Sequence, residues 1–372
     1  LSKPAPEELH TGVTMRYLFI GLLAGALLGL APVFEAGPAI EIYPEWYGPA
    51  ASPESIERSP NGALSGLSVP PVVSDDSLTL LAGDGRILLR RSFPDDMFTV
   101  SANGAYYATY RKTGTSVEFF SAAGSPFWKT DSREYPHLSY NGKIVLLVNS
   151  DQSRARALNF HGNEVGEPVT GRFLTVAAFS KGSDFAAVGF LDGSYSIIDA
   201  EGKRLFGART GGGTLVKSMA VSPSGLYAAL HYGNEKGDYL AIVDTRKGGA
   251  SASPLARVHV ARTALTVGDD GLAAALDHNR ILVVDSKARP VTTINVPAAR
   301  TGMATLDRSG PIFAAGYTRS EGGAQSVLFL SDGTVLFARN FPAESYLQAS
   351  VEGRLIFLRG PQTLYCYSLH LR

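Results

Sequence analysis

The chain is poor in cross-linking chemistry: its 372 residues include a single cysteine, Cys366. One thiol excludes an intrachain disulfide framework and every CxxC metal or redox motif. Charge is scarce too. Charged residues make up 18% of the chain, against roughly 25% in an average soluble protein. The 34 basic side chains balance 34 acidic ones, so nothing draws the chain over long range to nucleic acid or an anionic membrane. No GxGxxG or GxxxxGK[ST] stretch is present, which leaves nucleotide binding without support. The seven histidines form no HxH or HExxH pattern, and no metal or cofactor is expected. What the chain has in quantity is glycine, 40 residues, and 45% hydrophobic content. Disordered chains have the opposite composition; this one predicts a turn-rich, well-packed β-protein.

One long apolar run stands near the start. Residues 17–34 read YLFIGLLAGALLGLAPVF, 18 positions without a charge, at the lower edge of a membrane-spanning length. Lys3 and Arg16 precede it, and Glu35, Glu41 and Glu45 follow. The positive-inside bias predicts a hydrophobic helix with residues 1–16 in the cytoplasm and everything after residue 34 in the periplasm or cell exterior. If translation starts at Met15, the same run reads as a signal peptide with a one-arginine n-region. Signal anchor and signal peptide both fit. Residues 35–76 are rich in Pro, Gly and Ser and read as a linker. Its Tyr43, Trp46 and Tyr47 suit either a membrane interface or packing onto the domain that follows.

From residue 77 to 372 the pattern is repetitive. A short apolar strand, a Ser- or Asp-marked turn with Gly and a second, Ala-rich strand recur in VSANGAYYATY from Val100, LSYNGKIVLLV from Leu138 and VSPSGLYAALHY from Val221. The marker falls at 101, 139, 180, 222, 268, 307 and 350, with spacings of 38, 41, 42, 46, 39 and 43. Third and fourth strands follow most copies, as in YSIIDAEGKRLF from Tyr195. Four short strands at this period form a propeller blade. Seven copies predict seven blades. Ser77–Phe93 offers a surplus strand pair and PPVVS from Pro70 a further start, so an eight-bladed ring is the alternative. The hxxSxxGxxhA core resembles bacterial WD40-like and Tol-B-type propellers, and the tails SAAGSPFW and DAEGKRLF resemble PQQ-like repeats. The resemblance implies a β-propeller repeat protein. It lacks the Gly-His and Trp-Asp dipeptides of true WD40 repeats, and only the tail at Trp128 carries the quinoprotein Trp.

No catalytic constellation emerges. Ser222 in VSPSG imitates a nucleophile, but a nucleophile elbow needs a strand-to-helix turn; a hydroxyl bonded to its own turn explains it. Aligning the repeats gives a better probe. Nine and ten residues past each marker the second strand is expected to end and its loop to begin, so these positions should ring one face of the disc. They place Tyr110, Arg111, His231, Tyr232, Asp277, His278, Tyr317 and Arg359 there. Aromatic, His and Arg side chains at a rim are interface-type residues, and five of them from adjacent blades, His231, Tyr232, Asp277, His278 and Tyr317, are expected solvent-reachable and close together. The resulting expectation is a non-catalytic, membrane-tethered propeller that binds another envelope or secreted protein. Two alternatives remain open: an enzyme or ligand-binding propeller of quinoprotein or lactonase type, with a central-channel site, and an envelope assembly factor. The last is implied by similarity to a periplasmic propeller lipoprotein of β-barrel assembly, although no lipobox cysteine follows the apolar run.

Overall fold

The computed structural model describes residues 40–49, 57–58, 69–111, 113–182 and 184–371. The chain divides into two compact units, and the fold belongs to the second, Ile42–Leu369. The apolar run 17–34, expected as a helix, lies outside the described residues. Among the described residues no helix is long and apolar enough to cross a membrane.

Six sheets of four antiparallel strands follow one another over residues 97–131, 135–170, 174–209, 215–254, 265–295 and 299–341, each in sequence order. These are blades 2 to 7. Blade 1 has three described strands, Val72–Val73, Ser77–Leu81 and Ile87–Ser92. Blade 8 takes Gln348–Glu352, Leu355–Arg359 and Thr363–Leu371, then places Ile40–Pro49 and Glu57–Arg58 beside them. The architecture is an eight-bladed β-propeller, which corrects the expected seven. The miscount has a plain cause. Ser77–Phe93, the strand pair left over from seven repeat copies, forms a sheet of its own with Val72–Val73. The strand that completes the last blade is Ile40–Pro49, from a segment whose composition reads as linker.

The core lies between blades rather than inside them. Ile144, Leu146 and Val148 of blade 3 cluster with Leu174, Val188 and Phe190 of blade 4. Leu276, Ile281 and Val283 of blade 6 cluster with Phe313, Tyr317 and Phe329 of blade 7. Middle strands are therefore covered on both faces and read as unbroken apolar runs, such as the wholly buried Ile144–Val148. Outer strands keep one wet face and alternate, as Pro126–Asp131 does.

In blades 2, 3 and 5 the turn after the first strand is fixed by two local devices. The Ser101, Ser139 and Ser222 hydroxyls accept hydrogen bonds from the backbone amides of Tyr106, Ile144 and Tyr227 at 3.0, 3.0 and 3.1 Å. Gly225 supplies the left-handed residue at φ +69°, and a Cβ there would lie 2.5 Å from the Phe185 ring of the preceding blade. The turn thus doubles as an inter-blade contact that only glycine permits.

Trp46 completes the ring. It is 4% exposed and packs with Val69, Val72 and Leu81 of the first blade and Leu355, Phe357 and Leu364 of the last. Its indole Nε1 donates to the Gly83 carbonyl at 2.6 Å. Replacing Trp46 with Ala should cost about 3 kcal/mol, the usual loss for emptying a buried Trp site. Urea unfolding measures this; an unchanged midpoint would show that Ile40–Pro49 does not close the ring.

Candidate functional site

In each four-stranded blade the first strand runs from one face of the disc to the other and the second returns. One face, the loop face, therefore carries the hairpins between second and third strands and the links between blades. The turns that follow the Ser and Asp markers lie on the other face, the turn face.

The eight residues expected to ring the loop face do not share one environment. Arg111 is exposed and pairs with Asp96 at 2.8 Å. Tyr110 sets its ring edge-on to Tyr135 at 5.9 Å. Half-buried Tyr232 stacks on Tyr239 at 5.5 Å. His278 is half-buried in a hairpin at φ 57°. Arg359 is half-buried and donates to the Val73 carbonyl, tying the last blade to the first. His231, Asp277 and Tyr317 are each 0% exposed, so the expectation that they are solvent-reachable is corrected. A uniform count of nine past the marker overlooks strand length. The second strands of blades 5 and 7, Tyr227–Asn234 and Ile312–Arg319, have 8 residues; the same count reaches the end in blade 2, where Tyr106–Tyr110 has 5. His231 and Tyr317 are thus mid-strand, and the Tyr317 hydroxyl is held by Gln325 Oε1 at 2.7 Å.

His231 and Asp277 belong to a polar network between blades 5 and 6. His231 Nε2 and Asp238 Oδ2 are 2.8 Å apart. Lys217 donates to Asp238 Oδ1 at 2.7 Å and to the His259 carbonyl at 2.6 Å. Lys217 is the extra residue of a β-bulge between Val216 and Ser218, the device that re-aims a side chain out of its ladder. The His259 amide donates to Asp238 Oδ2 at 2.7 Å, and its ring Nε2 lies 2.9 Å from Asp277 Oδ1. Arg280 and the Ala256 amide donate to Asp277 Oδ2, at 2.8 Å for Arg280 Nη2 and 2.8 Å for the amide. Every charge here is paired, as burial requires.

Burial pushes the His231 ring down to about 4, against the upward pull of Asp238. For Asp277 burial pulls upward, but hydrogen bonds from His259, the Ala256 amide and Arg280 outweigh it and hold the carboxyl at about 2. Asp238 is likewise lowered: burial opposes this, and Lys217, the His259 amide and His231 prevail.

What the network holds is the link between blades 5 and 6, residues 255–264. Leu255, His259 and Thr263 turn inward, while Arg257, Val258, Val260 and Arg262 stay outside. Val260 is 102% exposed and Val258 41%. None of these four was singled out from the sequence. A signal was present: the marker spacing across this link, 46, is the longest of the series.

The inner strands line two cavities that share Leu265 and Leu306. One of about 490 Å³ opens on the loop face beside Arg262 and Tyr346. The other, about 640 Å³, lies toward the turn face and includes Lys181, Asp270 and Asp307. Lys181 of blade 4 reaches Asp307 of blade 7 at 2.8 Å and the Val351 carbonyl of blade 8 at 2.7 Å. It ties non-neighbouring blades at that end. Among the described residues no group of three or more His, Cys, Asp or Glu side chains is placed to hold a metal ion.

Ring, shared inter-blade cores and strand-completed last blade define a propeller. A family profile described as a beta-propeller protein matches residues 17–247, and the chain belongs to that family. Solved structures agree on the fold. BamB from Moraxella catarrhalis aligns with a TM-score of 0.56 at 13% identity, over 82% of this chain and 99% of that one. Sqt1 from Saccharomyces cerevisiae aligns at 0.55 and 13%, over 81% and 92%. Apo AztD from Citrobacter koseri aligns at 0.54 and 12%, over 82% and 97%. A search of curated proteins gives no significant match.

The network makes stability depend on pH. His231 titrates near 4 in the fold and near 6.5 unfolded. Between those values the unfolded chain binds a proton that the folded chain does not, so stability falls as pH drops from 6.5 to 4. The loss is about 3 kcal/mol over that window. Thermal melts across the range should show it, and His231→Gln should flatten the slope relative to wild type. Parallel profiles for the two proteins would remove His231 as the cause.

Proposed function

We propose that the protein is a membrane-tethered scaffold that holds another protein on the loop face of its propeller, outside the cytoplasm. The observation that carries this reading is the 255–264 link. Exposed apolar side chains are ordinarily scattered singly, and clustered ones mark contact surfaces. Here Val258 and Val260 stand out on a segment held from beneath by His259. A loop fixed in place loses little freedom on binding, which favours affinity. The titratable groups beneath it are engaged in holding the loop, and the rigid ring presents it, the usual division between scaffold and functional loop. The tether is inferred from the uncharged run 17–34 and the acidic residues after it.

Two measurements test the reading. Alkaline phosphatase fused after Arg372 should be active, since it matures only outside the cytoplasm; an inactive fusion beside an active cytoplasmic reporter reverses the topology. A photo-crosslinking residue at Val260 of the full chain, in its native cells, should give a discrete protein adduct. The same residue at Val335, 47% exposed on an outer strand, should give none. Equal adducts from both positions, or none from Val260, would defeat the scaffold reading.

A further inference from the structure

We infer that the 255–264 link and the cavity mouth beside it dock an extended, acidic segment of a partner protein that also carries aliphatic side chains. The inference rests on the scaffold reading and assigns its partner a chemistry. Arg257 and Arg262 flank the exposed valines, and Arg300 lies exposed near the start of the adjoining first strand of blade 7. A Cβ at Gly302 would lie 3.1 Å from the Ala261 Cβ, so the link abuts that strand. Arg257, Arg262 and Arg300 make no ion pair with any described residue. Some exposed arginines elsewhere are paired, Arg86 with Asp84, Arg209 with Asp192 and Arg289 with Asp285, and others such as Arg133, Arg204 and Arg354 stand singly; these three are set apart by bordering one link.

Three arginines without a carboxylate, in a chain whose charges balance overall, are a local excess of positive charge. Guanidinium groups bind carboxylates bidentately and stay charged at every accessible pH. Val258 and Val260 call for aliphatic partners, and their outward alternation with inward His259 matches the period of an extended segment. The mouth beside Arg262 is about 490 Å³ and includes Ser218, Thr263, Tyr346 and Gln348. These polar groups suit the backbone of a peptide that bends into the opening. A flat lipid surface reaches the valine tip but not the mouth, so a protein segment fits the whole site and a membrane only its rim.

The test uses the full chain. A library of random twelve-residue peptides displayed on phage is selected on it, and the enriched peptides are measured by fluorescence anisotropy. Enriched sequences should carry at least two carboxylates and an aliphatic residue, and bind more weakly at high salt. Arg257→Glu with Arg262→Glu should weaken binding by about tenfold or more, with the melting temperature unchanged. Val258→Ser with Val260→Ser should weaken it comparably. Enrichment of neutral or basic peptides, or binding that both double variants retain, overturns the inference. So does binding to phosphatidylglycerol vesicles that the arginine variant abolishes while no peptide is enriched, which would make the site a membrane contact. These outcomes leave the scaffold reading standing if Val260 still cross-links to a protein and Val335 does not.

Discussion

Ring closure is the constraint on which the rest depends. A propeller whose last blade lacks its outer strand leaves an open β-edge and an uncovered inter-blade face. Here Ile40–Pro49, from the opposite end of the chain, lies beside Thr363–Leu371 and covers that edge. Trp46 then joins the last blade to the first through Phe357 on one side and Gly83 on the other. Among the described residues, the cores of blades 1 to 7 join sheets adjacent in sequence, whereas this one joins residues some 300 positions apart, and without it the rigid loop face has no frame.

Rigidity on that face has a second source. Lys217, His231, Asp238, His259, Asp277 and Arg280 are interior charges and dipoles that satisfy one another. Such a network contributes less through net attraction than through specificity: any displaced loop conformation strands a buried charge. The same residues that look catalytic in isolation, His beside Asp, are engaged here in holding that loop.

The repeat was legible because blade geometry writes itself locally. The repeat's turn glycine falls at 104, 142, 225, 271, 310 and 353, and the φ values there lie between 56° and 76°, the left-handed region that glycine admits freely. Ser101, Ser139 and Ser222 bond to their own turns, whereas the Ser180 hydroxyl has no partner among the described residues and Ser350 donates to Asp307 of the neighbouring blade. The glycine turns and the three self-bonded serines depend on neighbours within five residues. The blade count was less legible, because the Val72–Val73 strand is 2 residues long and the closing strand sits in a segment with a linker's composition. Burial of the candidate rim was less legible still. His231 lies in an eight-residue second strand, whose length is set by its pairing with the next strand and not by the repeat.

The sequence by itself determined an all-β ring of repeated blades, their turns, and the alternation of covered and wet strands, because each follows from hydrophobic period and backbone sterics within one repeat. Tertiary structure decided which strand closes the ring, which polar side chains turn inward, and which residues of the longest link remain outside. Those outcomes depend on contacts between segments distant in sequence: Trp46 with Phe357, Lys181 with Asp307, His259 with Asp238 and Asp277. No local pattern encodes such pairs, since their energies exist only once the blades have been brought together.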